Sequence, residues 1–211
     1  MVMGLLRAVA DVVLIGAGTL AADPLQLWTA EGICPELAAD FRILRAALHK
    51  PPAPVNIIVT GSGRIDLRLP VFTSGRVRSV VLTTSSGENE LARRGRPPAG
   101  MIRAIGGKGL ILSPAAILRS IRELNVGHRV LLEGGPRLLG HFYARRLVDE
   151  QYLTLSPQLL GRTGGDKRLS LVMEQMFAPG NGRWGRLTGA KRSASHLFLR
   201  YAFNEVGRVQ G

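Results

Sequence analysis

Cysteine is nearly absent from this sequence. Cys34 is the single thiol among 211 residues, which excludes an internal disulfide and fits a reducing compartment. The four histidines stand far apart in the chain, with no second cysteine and no spacing typical of zinc ligation. We therefore predict a cytoplasmic protein without a metal site.

Long apolar runs and acidic residues are also scarce. The longest uncharged apolar run, residues 12–22, is too short to span a bilayer, and the N-terminus does not resemble a signal peptide. The 28 Lys and Arg residues outnumber 15 acidic ones, for a net charge of +13 that attracts anions. The basic residues form no long run, and aromatic residues, only 5% of the chain, are not interleaved with them. We predict no membrane partner and no nucleic-acid partner.

Apolar strands and amphipathic helices alternate over the first two thirds of the chain. Strands are predicted at residues 12–15, 55–60, 79–84, 101–106 and 129–135. This order predicts an α/β fold with a mainly parallel sheet, and continuous apolar runs such as "NIIV" and "VLL" predict that both faces are covered. Residues 150–157 and 195–203 predict antiparallel strands at the C-terminal end. Without a repeat or linker, residues 1–211 are predicted to form one domain.

Two helices carry specific predictions. A buried stripe of Leu37, Phe41, Leu44 and Leu48 is expected on the helix that begins near Pro35. The helix that begins at Pro114 is expected to be capped by the Ser113 side chain.

Glycine or hydroxyl residues follow four of the predicted strands, in the sequences "GAGT", "TGSGR", "TTSSG" and "EGGP". Ligands of open α/β sheets bind beyond the carboxyl ends of the strands, and glycine turns let backbone N–H groups approach an anion there. "GAGTLA" also matches the dinucleotide fingerprint, but Pro24 interrupts the helix that should follow it. We predict a shared site for a phosphate-bearing ligand that is not a standard Rossmann site.

Glu133 ends an apolar strand and precedes two glycines and Pro136, which suits the first position of a helix. The helix N-terminus favours negative charge. A carboxylate there can accept hydrogen bonds from donor groups of a ligand. A salt-bridged structural glutamate is the alternative interpretation.

The stretch "VLLEGGPRLLGHFYARRLVDEQYLTLSPQLLG" resembles the core signature of the riboflavin-biosynthesis pyrimidine reductases, which have a dihydrofolate-reductase-like fold. "ADVVLIGAGTLAADP" and "VTGSGRIDLRLPVF" resemble two further motifs of this family. The resemblance extends over nearly the whole chain. It implies a homodimeric, NADPH-dependent oxidoreductase that reduces 5-amino-6-(5-phosphoribosylamino)uracil or a related pyrimidine or pteridine by hydride transfer.

The resemblance also implies site residues. Glu133 would contact the substrate and Leu27 would line its pocket, whereas the segment from Gly135 to His141 would bind the pyrophosphate of NADPH. Arg64 is a physical candidate for holding the 2′-phosphate. The residues implied in cofactor binding are Thr19, Asp23, Thr60, Gly61, Ser62, Arg64, Gly134, Gly135, Pro136, Arg137, Leu138 and Leu139. The resemblance assigns no catalytic residue.

The sequence departs from the family pattern in two places. Where the family carries an arginine that reads the substrate phosphate, Ala30 stands here, and the next arginine is Arg42. The family's first strand, which ends in a Ser-x-Asp-Gly-like motif, has no counterpart in this sequence. Either the start codon was assigned late or the chain lacks part of its site, and a missing strand is expected to expose a sheet edge or leave a gap. Two alternatives therefore stay open: a dihydrofolate-reductase-like activity, and a protein that binds nucleotide without catalysis.

Overall fold

The computed structural model describes residues 1–95, 101–106, 112–161 and 169–203. The chain divides into two compact units, Met1–Leu138 and Leu139–Gly211. The prediction of one domain over residues 1–211 stays a prediction.

A five-stranded sheet forms the centre of the first unit. Its strands are β1 (Val12–Gly16), β2 (Val55–Thr60), β3 (Ser79–Thr83), β4 (Ile102–Ala104) and β5 (Val130–Leu132). They lie in the order β4-β3-β2-β1-β5, and every neighbouring pair is parallel. This arrangement confirms the predicted α/β class. Strand β5 pairs with β1 alone among the described residues, so it forms one edge of this sheet.

Helices connect these strands. In chain order they are α1 (Val2–Val9), α2 (Ala17–Ala22), α3 (Ala38–Ala47), α4 (Pro70–Thr73), α5 (Ser85–Arg94), α6 (Pro114–Glu123) and α7 (Pro136–Ala144). Helix α2 has only six residues, as expected from the proline that follows it. Ser113 stands at the N-cap position of α6, but its side chain makes no capping hydrogen bond, so that part of the prediction is wrong.

The core of the first unit lies on both faces of the sheet. Ile57 and Ile58 are consecutive in β2 and point to opposite faces, yet both are fully buried. Val80, Val81 and Leu82 of β3 repeat the pattern. The continuous apolar strands are thus explained by helices on both sides, as predicted.

Helix α3 differs from its predicted stripe. Phe41 is buried as expected, but Leu48 is 40% exposed, and Arg45 is buried in its place. The Arg45 Nη1 atom donates hydrogen bonds to the carbonyl oxygens of Ala8 and Ala10, both at 2.9 Å. The guanidinium therefore satisfies carbonyl groups at the C-terminal end of α1, a role that apolar periodicity does not indicate.

The second unit contains a three-stranded antiparallel sheet. Its strands are β6 (Glu150–Leu155), β7 (Arg186–Ser193) and β8 (His196–Ala202), in the order β6-β8-β7. The antiparallel C-terminal strands were predicted, but β7 was not. Its sequence, "RLTGAKRS", is mostly polar, and it is a strand because it pairs with β8 in a tight hairpin.

Candidate active site at the carboxyl edge of the parallel sheet

The four glycine or hydroxyl turns follow β1, β2, β3 and β5, and all four strands run in the same direction. Their carboxyl ends therefore lie along one edge of the sheet, in the order β3, β2, β1, β5. This edge is where parallel α/β sheets bind ligands. The structure thus brings the predicted turns to one edge.

The turns after β1 and β5 are in direct contact. The Gly16 N–H donates a hydrogen bond to the Gly134 carbonyl oxygen at 2.8 Å. Gly134 has a φ of +100°, a backbone conformation that favours glycine, and the Gly134–Gly135 peptide bond is cis. A β-carbon built on Gly135 would stand 3.4 Å from Thr19 Oγ1. Thr19 and the two glycines, all predicted cofactor residues, therefore form one cluster.

The turns after β2 and β3 also pack against each other. A β-carbon on Gly63 would come within 2.1 Å of the Gly87 carbonyl oxygen, so only glycine fits there. Thr60 Oγ1 accepts a hydrogen bond from the Gly63 N–H at 3.1 Å, and Thr84 Oγ1 donates one to the Gly61 carbonyl at 2.8 Å. These contacts fix the turn that carries the partly exposed Ser62 and the exposed Arg64.

Glu133 follows β5 and is paired with an arginine that the sequence analysis did not identify. Arg7 Nε donates to one carboxylate oxygen at 2.7 Å, and Arg7 Nη2 donates to the other at 2.6 Å. The side chains are 3% exposed for Arg7 and 8% exposed for Glu133. The alternative interpretation of Glu133, a salt-bridged glutamate, therefore describes its contacts in this structure. A role in substrate binding stays a prediction, because each carboxylate oxygen retains further acceptor capacity.

A hydrogen-bonded chain extends from this ion pair to Asp23. Arg7 Nη2 also donates to Gln26 Oε1 at 2.6 Å. The Gln26 amide group donates in turn to an Asp23 carboxylate oxygen. Side-chain contacts thus join Asp23, predicted to bind cofactor, with Glu133, predicted to bind substrate.

Leu27 lies in a segment that β2 holds through a buried side chain. Asn56 is fully buried; its Oδ1 accepts from the Trp28 N–H, and its Nδ2 donates to the Trp28 carbonyl, both at 3.1 Å. The amide thereby pairs with Trp28 as a neighbouring strand would. Leu27, which directly precedes Trp28, is partly buried against the main core cluster. This packing fixes the residue that is predicted to line the substrate pocket.

Helix α7 begins at Pro136, as predicted, directly after the two glycines. Arg137 and Leu138 occupy its first turn, and Leu139 follows in the same helix. Arg137 is exposed, whereas the two leucines are half-buried. Free backbone N–H groups at such a terminus favour an anion.

The place where a phosphate-reading arginine was expected is not at the surface. Ala30 is 1% exposed and packs in a cluster with Ala8, Cys34 and Phe41. Arg42 lies on α3, where its Nε donates to the Ala38 carbonyl. Cys34 is buried in the same cluster, which agrees with a packing role.

Three residues of the site were not predicted from the sequence: Arg7, Gln26 and Asn56. Arg7 had a visible signal, because it is the only charge in the apolar helix "VMGLLRAV". Gln26 and Asn56 had none, because each acquires its role only through partners that tertiary folding supplies.

Among the described residues, no group of three or more His, Cys, Asp or Glu side chains could hold a metal ion. Within those same ranges, no helix is both long and apolar enough to cross a membrane.

Comparisons with known proteins agree with this architecture. The family model for the RibD C-terminal domain matches residues 1–175. The 2,5-diamino-6-ribosylamino-4(3H)-pyrimidinone 5′-phosphate reductase of Archaeoglobus fulgidus is 26% identical over 156 residues, which cover 74% of this chain and 66% of that protein. The riboflavin biosynthesis protein RibD of Aquifex aeolicus is 26% identical over 157 residues, which cover 74% of this chain and 38% of that protein. The chain thus spans less than two thirds of the length of either relative.

Two solved structures are also similar. A pyrimidine reductase-like protein from Corynebacterium diphtheriae has a TM-score of 0.70 and 17% identity, covering 96% of this chain and 79% of that chain. The diaminohydroxyphosphoribosylaminopyrimidine deaminase/5-amino-6-(5-phosphoribosylamino)uracil reductase of Thermotoga maritima has a TM-score of 0.68 and 20% identity, covering 94% and 47%. At these identities the likeness concerns the fold, and it confirms the fold that was predicted by resemblance.

Proposed function

We propose, from the premise that this chain belongs to the RibD C-terminal domain family, that it is an NADPH-dependent reductase of a pyrimidine. The reaction is the reduction of the ribosylamino group of 5-amino-6-(5-phosphoribosylamino)uracil, or of a related pyrimidine or pteridine, to a ribitylamino group. The relatives from Archaeoglobus and Thermotoga carry pyrimidine reductase names. The observation that carries the proposal is the meeting of Thr19, Gly134 and Gly135 beside Glu133 at the carboxyl edge of the sheet.

The residues at this edge fit a dinucleotide. A β-carbon on Gly18 would meet no atom within 4 Å, and one on Gly135 would meet only Thr19. The backbone there is open to a ligand that approaches closely, as the pyrophosphate of a dinucleotide does. The first turn of α7 supplies N–H groups for the same anion. Arg64, exposed at the adjacent turn, is the proposed contact for the 2′-phosphate.

NADPH, when bound, supplies the hydride; the protein binds and orients the two reactants. Glu133 accepts hydrogen bonds from ring or amino N–H groups of the substrate and so fixes the acceptor carbon. Leu27 lines the pocket beside it.

Recognition of the substrate phosphate is tested separately from the reduction. Ala30 faces the core, so no side chain reads a phosphate from that position. Comparing the phosphorylated substrate with its dephosphorylated form tests the point directly. Equal kcat/KM for the two would mean that the phosphate is not recognised.

The experiment that tests the function combines calorimetry with an assay. NADPH is titrated into the purified chain, and its oxidation is then followed by absorbance with the pyrimidine and, separately, with dihydrofolate. We expect NADPH binding and oxidation with the pyrimidine. Binding without any turnover would identify the non-catalytic alternative, and turnover of dihydrofolate alone would identify the other activity. Absence of heat and of a thermal shift with NADPH would reject all three.

We also propose a cytoplasmic homodimer. One face of the three-stranded sheet of the second unit exposes Leu155 at 45%, Leu187 at 52% and Leu197 at 42%. Exposed apolar patches of this kind are typical of protein interfaces. Sedimentation at micromolar concentration is expected to give twice the chain mass of 22.7 kDa. A single-chain mass would contradict the dimer.

A further inference from the structure

Arg7 lies between two segments that the proposed function uses. Its Nε and Nη2 atoms donate to the two Glu133 oxygens at 2.7 and 2.6 Å, Nη2 also donates to Gln26 at 2.6 Å, and Nη1 donates to the Thr29 carbonyl at 3.2 Å. A guanidinium has five N–H donors, so one is left without a partner in this set. The Arg7 side chain is buried, which leaves it little access to a ligand.

We infer that Arg7 is the positioning residue of this site: its guanidinium orients the Glu133 carboxylate toward the substrate and, through Gln26, holds Asp23 toward the cofactor. The inference rests on the proposed function, since it assigns no contact with either ligand to Arg7 itself. It explains why a charged side chain stands in an otherwise apolar helix. It also gives the series of hydrogen bonds from Glu133 through Arg7 and Gln26 to Asp23 a role in binding.

The geometry requires arginine rather than any cation. Two parallel N–H groups meet the two carboxylate oxygens, and this fork fixes the plane of the carboxylate as well as its place. A lysine ammonium is a compact point charge that cannot fix that plane. Arg7→Lys therefore keeps the positive charge but removes the forked contact, so this single substitution tests positioning separately from charge.

The guanidinium is itself held from two sides. Thr29, whose carbonyl accepts from Arg7 Nη1, directly follows Trp28, and Asn56 holds both the N–H and the carbonyl of Trp28. Arg45 holds the carbonyl groups of Ala8 and Ala10 at the end of the helix that carries Arg7. Backbone groups on both sides thus limit the movement of Arg7, as a positioning role requires.

The test compares three forms of the full chain: Arg7→Lys, Glu133→Gln, and the double variant. We expect Arg7→Lys to lower kcat for the pyrimidine about 10- to 100-fold, because a misoriented contact of about 1 Å has effects of that size. The dissociation constant of NADPH is expected to rise about 3- to 10-fold, because Arg7→Lys also removes the hydrogen bond that holds Gln26 beside Asp23. The double variant is expected to be as slow as Glu133→Gln alone, because Arg7 acts through Glu133.

Arg103→Lys is the matched control. It is the same substitution at a partly buried arginine that donates to the Ser120 carbonyl at 3.2 Å and lies 3.7 Å from a Glu123 carboxylate oxygen. Arg103 is on β4, at the edge of the sheet opposite β5, which Glu133 follows. The substitution is expected to lower the melting temperature and to leave kcat within about twofold at a temperature far below the transition. A loss of kcat that merely follows stability would appear in both variants.

Gln26→Leu provides a second arm that keeps both hydrogen bonds from Arg7 to Glu133 and removes only the one from Arg7 Nη2 to Gln26. Gln26 is partly exposed, so the variant is expected to fold whatever the outcome for Arg7→Lys. It removes the support of Asp23 and should weaken NADPH binding about 3- to 10-fold, the effect of one supporting hydrogen bond.

Three outcomes would overturn the inference while leaving the proposed function intact. These are a wild-type kcat in Arg7→Lys, single-variant losses that multiply in the double variant, and unchanged NADPH affinity in Gln26→Leu. A wild-type chain that neither binds NADPH nor reduces the pyrimidine would reject the proposed function, and the inference with it. The two failures are therefore distinguishable by the wild-type measurement.

Discussion

Asn56 and Trp28 are joined by two hydrogen bonds: the Asn56 amide accepts from the Trp28 N–H and donates to the Trp28 carbonyl, each at 3.1 Å. They are 28 residues apart in the chain. One fully buried side chain of β2 thereby holds the segment that carries Leu27 and the Thr29 carbonyl beneath Arg7.

Asn56→Ala should destabilise the fold. It leaves the Trp28 N–H and carbonyl buried without the partners that Asn56 supplies, and each such group costs about 1–3 kcal/mol, so the loss in free energy of unfolding is about 2–6 kcal/mol. Urea denaturation followed by tryptophan fluorescence measures it. Asn89→Ala, at an exposed position of α5, is the control and should change stability by less than about 0.5 kcal/mol. Equal effects of the two substitutions would show that the Asn56 hydrogen bonds contribute nothing.

Gly18→Ala is expected to change stability and cofactor binding in opposite directions. Gly18 lies inside α2, and an added β-carbon meets no atom within 4 Å, so the helix gains about 0.5–1 kcal/mol. If NADPH approaches the backbone there, the methyl group occupies its place, and the affinity falls about tenfold or more. Calorimetry and thermal unfolding measure the two effects. Gly180→Ala is the control: a β-carbon there also meets no atom of the described residues within 4 Å, and NADPH affinity should be unchanged.

Glu133→Gln tests the substrate role of Glu133. The amide keeps the shape of the carboxylate but removes its charge, and a charge-assisted hydrogen bond is worth about 1.5–3 kcal/mol. The kcat/KM for the pyrimidine is expected to fall about 10- to 150-fold, since each 1.4 kcal/mol is about tenfold. NADPH affinity should move little. Reduction of the substrate at the wild-type rate would leave Glu133 as the structural partner of Arg7 and no more.

Tyr143 makes stability depend on pH at the alkaline end. Burial raises the pKa of Tyr143 from 10.0 to about 12, and its buried hydroxyl has no hydrogen-bond partner among the residues that the structure describes. Because the folded state holds this proton more tightly than the unfolded state, its contribution is fully present below pH 10 and is lost as the pH rises to about 12. A two-unit shift corresponds to about 2.7 kcal/mol.

Tyr143→Phe should therefore be at least as stable as the wild type at neutral pH, since no hydrogen bond is broken. Between pH 10 and 12, the difference in unfolding free energy should grow in favour of the variant. Chemical denaturation at several pH values measures this. Parallel pH profiles for the two proteins would exclude a buried, protonated Tyr143.

The sequence alone determined the parts of this protein that depend on neighbours in the chain. A buried strand needs a continuous apolar run, and a tight turn needs glycine, so "VNIIVT" and "EGGP" could be assigned from local chemistry. The family motifs were also local, and they carried the fold and the list of candidate residues. The same reasoning was wrong for the Ser113 cap and for Leu48, and it did not predict the polar strand Arg186–Ser193.

The tertiary structure decided which of these parts meet. Placing β1 between β2 and β5 brings Gly16 against Gly134, and it sets Arg7 against Glu133, 126 residues away. A charged residue in an apolar helix, or an asparagine in an apolar strand, contradicts local preference and becomes stable only when a distant partner satisfies it. That partner depends on strand order, which no local pattern specifies. Arg7, Gln26 and Asn56 were therefore identified by the structure alone.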